Sequence, residues 1–158
     1  NKIKELKIVL PEAKPPVGNY VAIKISGKLV FVSGQISIDE NGQLIKGKIG
    51  KDLDAEAGYN AAKRCALSII AQVKKACDND LSKIKSCIKL TGFVNSTDDF
   101  TDQPKVINGA SDLIASIFGD AGMHARAAVS MPASTFGADA LYRRKTIDRK
   151  NNRYNRST

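Results

Sequence analysis

The sequence predicts a single α+β domain in which one layer of mixed β-sheet packs against one layer of two helices. Three observations lead to this prediction. Short runs rich in β-branched residues recur along the chain, two amphipathic helical patterns lie between them, and the order is strand, strand, helix, strand, helix, strand. The length of 158 residues is enough for one domain with a sizeable core and too short for two.

The first two strands are predicted in YVAIKISGKLVFVSGQISI, which begins at Tyr20. A turn at Ser26–Gly27–Lys28 joins them. The second run, from Leu29 to Val32, is continuously apolar, which indicates a central place in the sheet. A tight turn at Asn41–Gly42 follows.

The clearest helix is predicted in DLDAEAGYNAAKRCALSIIAQVKKACDND, where Asp52 or Asp54 can cap the start. Its apolar face recurs at helical spacing and comprises Ala62, Ala66, Ile69, Val73 and Ala76. The abundance of alanine predicts close packing on the sheet.

A half-buried strand is then predicted from the alternation in KIKSCIKLTGFVNS, with Ile84, Ile88 and Leu90 on one side. The second helix lies in PKVINGASDLIASIFGDAG, with Pro104 in its first turn and Gly119 at its end. Its inner face comprises Val106, Ala110, Leu113, Ile114 and Ile117. The stretch HARAAVSM is the last predicted strand.

Positive charge is concentrated near the end of the chain. The formal net charge is +9. Residues 143–158 include seven basic residues and one acidic residue, so this segment contributes +6 of that charge. The rest is only mildly basic. A basic tail can bind phosphate backbones without sequence preference, but we favour a solvated end, so a nucleic-acid partner is only weakly suggested.

The cysteine pattern bears on compartment and cofactors. The chain has three cysteines, an odd number, and none of them is in a CxxC pair. This pattern argues against a disulfide framework or a zinc site and fits a reducing cytosol. No apolar run approaches the roughly 20 residues that cross a membrane, and residues 1–18 do not resemble a secretory signal. We therefore expect a cytoplasmic protein with no membrane partner. One histidine and scattered cysteines make no convincing metal site, so we expect no metal or organic cofactor.

One arginine stands out in the apolar stretch GMHARAAVSM. Arg126 follows the only histidine, His124, by two positions. Because arginine cannot lose its charge, burying it costs on the order of several kcal/mol unless an anion or carbonyl groups bind it. Arg126 is therefore the first candidate for anion binding, whereas we expect His124 to be a surface or interface residue rather than a catalyst.

The set VFVSGQI, GFVNS followed by DF, and HARAAV resembles the reactive-intermediate deaminase family, also called Rid or YjgF-type. Many of its members are labelled endoribonuclease L-PSP or translation inhibitor. The resemblance runs in order from about residue 7 to about residue 131, and VINGASDL with HAR is similar to one sub-branch. It implies a chorismate-mutase-like fold and a homotrimer with clefts between subunits.

The resemblance also implies a site for a small carboxylate. Arg126 matches the family arginine that binds the substrate carboxylate, and it is the expected catalytic residue. Tyr20, Ser33, Gly34 and Asn108 match other cleft positions, Tyr20 being contributed by a neighbouring subunit. Structural alternatives stay open. Tyr20 can simply start a strand, Ser33 can bond its own turn, Asn108 can be a polar helix-surface group, and Arg126 can form a salt bridge at a trimer interface.

The chain departs from the family pattern in two places. Ala128 replaces a cysteine found in many active members, where the backbone contributes as much as the side chain. The glutamate that helps activate water in the family falls near Leu141 here, and no Glu follows Glu56. Asp139 is a possible substitute. We therefore divide the chain into a family-like domain, residues 1–141, and a basic tail unlike the family, residues 142–158.

Three functions are compatible with these residues and this resemblance. The first is a hydrolase, acting on C–N bonds, that converts 2-imino or 2-enamino acids to 2-oxo acids and ammonia. The second is a protein that binds or senses a small carboxylate without turnover. The third is RNA binding or cleavage, for which the sequence has no RNA motif and no histidine pair.

Overall fold

The computed structural model describes residues 2–131 and, for residues 140–145, the backbone. The helices in these ranges are α1 (Lys2–Glu5), α2 (Ala55–Ala76) and α3 (Gln103–Phe118), with short 3-10 helices at Leu81–Lys83 and Gly119–Gly122. The strands are β1 (Ile23–Ser26), β2 (Leu29–Val32), β3 (Lys89–Asn95), β4 (Ala125–Met131) and β5 (Ala140–Lys145). The predicted α+β order is confirmed, and β5 adds a strand after it.

The five strands form one mixed sheet in the order β1-β2-β5-β3-β4. β3 and β4 are parallel, and the other neighbouring pairs are antiparallel. β5 therefore lies in the middle of the sheet and extends across residues 141 and 142, where the sequence pattern had placed a domain boundary. Residues 142–145 belong to the sheet, and the rest of the predicted tail, residues 146–158, lies outside the described residues.

The start of α2 is determined by Asp54, one of the two predicted caps. Its side chain accepts a hydrogen bond from the Ala57 amide at 2.7 Å. The other candidate, Asp52, accepts from the Lys48 amide in the preceding loop instead. The predicted apolar face of α2 is buried, apart from Ala76, which is half-buried.

The predicted limits of α3 are confirmed within about a residue. Pro104 lies in its first turn, and Gly119 ends it at a φ of +58°, a backbone conformation that glycine adopts readily. All five residues of its predicted inner face are buried. α3 packs so closely on α2 that a side chain at Gly109 would collide with the backbone carbonyl of Tyr59.

The third strand begins later than the sequence alternation predicted. Ile84 lies outside it, and the strand starts at Lys89. Asp80 caps the short 3-10 helix Leu81–Lys83 by accepting from the Ser82 amide at 3.0 Å. The predicted alternation does not describe burial before Lys89, since Cys87, which it would place on the side opposite Ile88, is buried. The Ile88 carbonyl accepts from the Ala125 amide, outside the regular ladder of β3.

The two faces of the sheet have different surroundings. On one face Val32, Leu90 and Val94 are buried against α2 and α3. Because side chains alternate along a strand, Thr91 and Phe93 of β3 lie on the opposite face, which no helix of the described chain covers. Phe93 and Val129 are paired on this open face, and Val129 is 43% exposed. No helix within the described residues is both long enough and apolar enough to cross a membrane.

Candidate functional site

Arg126 lies on the edge strand β4, opposite Leu90 of β3. Its side chain reaches helix α3, where Nη1 donates to Asn108 Oδ1 at 2.7 Å and to Ser111 Oγ at 3.1 Å. The two acceptors are three residues apart on α3, so they lie on one helix face. Arg126 is nevertheless exposed in the single chain. The structure therefore brings together two predicted site residues, Arg126 and Asn108.

The histidine joins the same group of side chains. His124 Nε2 lies 3.0 Å from Ser111 Oγ, and His124 Nδ1 lies 2.6 Å from the carbonyl oxygen of Gly122. A carbonyl oxygen only accepts, so Nδ1 carries a proton. In the neutral ring Nε2 is then the acceptor, and the Ser111 hydroxyl donates to it. We call Asn108, Ser111, His124 and Arg126 the arginine cluster.

The guanidinium of Arg126 has donors to spare. Its five N–H groups include two on Nη1, and these two meet Asn108 and Ser111. Nε and Nη2 make no hydrogen bond to any described residue, and no carboxylate in that part of the chain forms an ion pair with Arg126. The Nε–Nη2 edge is the side of a guanidinium that can donate two parallel hydrogen bonds to a carboxylate.

The acidic residue beside Ser111 in sequence is engaged elsewhere. Asp112 accepts a hydrogen bond from the Tyr59 hydroxyl at 2.9 Å, which links α3 to α2. This hydrogen bond raises the pKa of Tyr59, because it stabilises the protonated phenol. Asp112 is therefore part of the helix packing and not of the arginine cluster.

Tyr20, Ser33 and Gly34 lie beside β1 and β2, towards the edge of the sheet opposite β4. Ser33 directly follows β2, and its hydroxyl donates to the carbonyl of Val21 at 2.6 Å, across the hairpin. Tyr20 precedes β1 and is 53% exposed. We call these three residues the hairpin group.

The strand register measures how far the hairpin group is from Arg126. Val32, Arg144, Leu90 and Arg126 are successive partners in one row across the sheet. Three strand spacings of about 4.8 Å separate the Val32 and Arg126 backbones by roughly 14 Å. One small carboxylate cannot contact Arg126 and Ser33 of the same chain at that distance.

The remaining predicted positions are placed by the strands. Ala128 lies opposite Gly92 and is half-buried against the core, two residues along from Arg126 on the same face of β4. Position 141, where the family glutamate was expected, pairs with Phe93 in the backbone register. Asp139 lies outside the described residues.

Ser111 is the site residue that sequence reasoning missed. It lies three positions after Asn108, a spacing that brings two side chains to one face of a helix, and this was the available signal. Among the residues that the structure describes, no three histidine, cysteine or acidic side chains lie close enough to hold a metal ion. The three cysteines are buried as thiols.

Comparison with known proteins identifies the relatives of this chain. A family model described as "YjgF/chorismate mutase-like, putative endoribonuclease" matches residues 2–142. Protein TCP17 of Trypanosoma cruzi is 43% identical over 137 residues, which covers 86% of this chain and 85% of that protein.

Solved structures show the same fold. Protein Atu1372 of Agrobacterium tumefaciens, described as of unknown function, is 45% identical with a TM-score of 0.83, and the match covers 91% of this chain and 89% of that one. A structure from Shewanella oneidensis, described as "a putative endoribonuclease", is 34% identical with a TM-score of 0.86. The match covers 91% of this chain and 95% of that one. The arrangement of one mixed sheet against two long helices is therefore the YjgF-type, chorismate-mutase-like fold, and this chain belongs to the YjgF/chorismate mutase-like family.

Proposed function

We propose that this protein hydrolyses 2-imino and 2-enamino acids to 2-oxo acids and ammonia, with Arg126 holding the substrate carboxylate. One observation supports this most strongly. The guanidinium of Arg126 is anchored through Nη1 to α3, while its Nε–Nη2 edge meets no described residue. A planar, preoriented pair of donors is suited to a carboxylate.

The reaction needs little from the protein once the carboxylate is held. The imine carbon beside the carboxylate is already electrophilic, so water adds to it, a C–O bond forms, and the C–N bond breaks. The nitrogen leaves as ammonia, and the carbonyl of the 2-oxo acid remains. A polar group that orients the water accelerates the addition, and an enamine must first take a proton on carbon to become the imine.

The site we propose is completed by a second copy of the chain in a homotrimer. Within one chain the backbone of Val32, which directly precedes Ser33, is about 14 Å from that of Arg126 by strand spacing. In a trimer, Tyr20, Ser33 and Gly34 of a neighbouring copy would face Arg126 and Asn108 across a cleft. The uncovered sheet face, with Phe93 and the partly exposed Val129, offers the apolar area for such an assembly. The cytoplasmic location stays a prediction.

Binding without turnover is the second candidate function. It is favoured by the absence of any acidic side chain bonded to the arginine cluster within residues 2–131. A site of this kind would hold a 2-oxo acid or similar carboxylate and leave water unactivated. RNA cleavage, the activity in the family description, is the third candidate.

The test follows ammonia and 2-oxo acid release from enzymatically generated 2-iminopropionate. We compare the parent chain with Arg126→Ala, Arg126→Lys and, as a control, Ser116→Ala on the exposed side of α3. Loss of charge-assisted hydrogen bonds worth about 1.5–3 kcal/mol each predicts a roughly 100-fold lower kcat/KM for Arg126→Ala. Arg126→Lys should lower kcat/KM by about 10-fold, because an ammonium cannot donate two parallel hydrogen bonds to a carboxylate.

The outcomes separate the three functions. Parent activity that Arg126→Ala abolishes, with the oligomer intact, supports the hydrolase. Pyruvate binding without acceleration of hydrolysis replaces the hydrolase with the binding protein. Cleavage of single-stranded RNA by a parent chain that neither hydrolyses 2-iminopropionate nor binds pyruvate would contradict both proposals.

A further inference from the structure

The only histidine of the chain is connected to Arg126 through one serine hydroxyl. From the Gly122 carbonyl the connection runs to His124 Nδ1 at 2.6 Å, from His124 Nε2 to Ser111 Oγ at 3.0 Å, and from Ser111 Oγ to Arg126 Nη1 at 3.1 Å. Ser111 and His124 are partly buried. Neither side chain is among those that form the hydrophobic core.

The direction of each hydrogen bond follows from the groups at the two ends. The Gly122 carbonyl can only accept, and the Arg126 guanidinium can only donate. Nδ1 must therefore carry the proton, which leaves Nε2 of the neutral ring as an acceptor. The Ser111 hydroxyl gives its single proton to Nε2, so its oxygen lone pairs are turned towards Arg126. The other neutral tautomer would point an N–H at Ser111 and leave two electron-rich atoms, Nδ1 and the Gly122 oxygen, in contact.

Two acceptors on Nη1 determine the plane of the guanidinium. Asn108 alone would leave the group free to rotate about the line from Nη1 to Oδ1. A second acceptor at Ser111, displaced by one helical turn, removes that rotation. The Nε–Nη2 edge is then held in one direction, which is the property that a two-point contact with a planar carboxylate requires.

We infer that Ser111 and His124 are positioning residues for Arg126, with His124 acting as an Nδ1–H imidazole that orients the Ser111 hydroxyl. This inference rests on the proposed role of Arg126 as the carboxylate-binding residue. Neither side chain touches the reacting carbon. Their effect should therefore fall on the affinity for the carboxylate, seen as KM or as the Kd for a 2-oxo acid, and not on kcat.

The first experiment reads the imidazole directly by NMR. With one histidine in the chain, its ring nitrogen signals are unambiguous. We expect long-range ¹H–¹⁵N spectra at pH 8 to show the Nδ1–H tautomer. Addition of pyruvate should shift the ring signals in the parent and leave them unchanged in Arg126→Ala. An Nε2–H tautomer would overturn the inference, because that nitrogen could not accept from Ser111.

The second experiment uses a matched pair of substitutions. His124→Gln places its side-chain amide near the position of Nε2 and can still accept from Ser111, whereas the shorter His124→Asn reaches only the Gly122 carbonyl. We expect His124→Asn and Ser111→Ala to raise KM and the pyruvate Kd by roughly 3- to 10-fold, the loss of about one hydrogen bond, with kcat changed less than about twofold. His124→Gln should stay within about twofold of the parent.

The results distinguish this inference from the proposed hydrolase. Pyruvate binding that weakens in His124→Asn but not in His124→Gln supports the positioning role even if no imine is hydrolysed. Arg126-dependent hydrolysis with an unchanged KM in His124→Asn and Ser111→Ala overturns the positioning role alone. If the parent neither hydrolyses 2-iminopropionate nor binds pyruvate, both proposals fail.

Discussion

The guanidinium of Arg126 uses two of its five donors inside the chain and leaves the other three without a partner among the described residues. The sequence pointed to this arginine because a fixed charge lies within a small, apolar run. It could not show which donors were occupied, since that depends on where α3 passes over β4. Ser111 was missed for the same reason. A serine in a helix pattern becomes informative only when the packing places it beside a charge.

At the same scale, Gly109 shows how closely the two long helices approach. A methyl group there would collide with the Tyr59 carbonyl, a backbone atom that cannot move without bending α2. We predict that Gly109→Ala lowers the free energy of unfolding by about 2 kcal/mol, since overpacking exceeds the gain of about 1 kcal/mol in helix propensity.

Urea unfolding at one protein concentration measures the effect of Gly109→Ala. Ser116→Ala, on the exposed side of the same helix, is the control and should change stability by less than about 0.5 kcal/mol. A Gly109→Ala protein as stable as the parent would mean that α2 and α3 are not in close contact at this position.

The helices were the elements most readily predicted, because each combines a long apolar period with clear end signals. Asp54 and Gly119 both act as their residue types suggested, at opposite ends of different helices. The third strand was less well predicted. Its alternation extends several residues before Lys89 into a segment outside the strand ladder, where the Cys87 amide donates to Ala121 and the Ile88 carbonyl accepts from Ala125.

The cap of α2 gives a prediction at the scale of one element. Asp54→Ala removes the acceptor for the Ala57 amide and should lower the free energy of unfolding by about 1 kcal/mol. Asp54→Asn should recover most of that loss, because asparagine caps helices about as well as aspartate. Both are measured by urea unfolding. Equal losses in the two variants would show that charge at the helix start, and not the capping bond, is what matters.

The whole molecule is organised around a strand that the sequence pattern had left out. β5 lies between β2 and β3, so the two halves of the sheet meet only through residues 140–145. This position places the hairpin group and the arginine cluster on separate sides of one chain. A complete site of the kind we propose then depends on assembly, for which we propose the sheet face that no described helix covers.

Val129 tests this dependence. We predict that Val129→Glu, which adds a charge to the open sheet face, dissociates the proposed trimer and lowers the proposed hydrolysis of 2-iminopropionate by at least about tenfold, because it buries an unpaired carboxylate. Sedimentation velocity reports the mass, and Ser116→Glu is the control on an exposed helix surface. A trimeric Val129→Glu protein, or an active monomer, would contradict the shared site.

The sequence by itself determined the α+β class and both long helices with their buried faces, and it singled out Arg126 as the candidate for anion binding. These features are local, since periodicity, caps and an unusual charge can be seen within about 25 residues. The tertiary structure alone decided the strand order, the central place of β5, and the meeting of Asn108, Ser111 and His124 at Arg126. The strand order and the central place of β5 depend on contacts between segments distant in the chain. The arginine cluster lies within residues 108–126, but its side chains meet only because α3 packs against β4, and no local pattern encodes that packing.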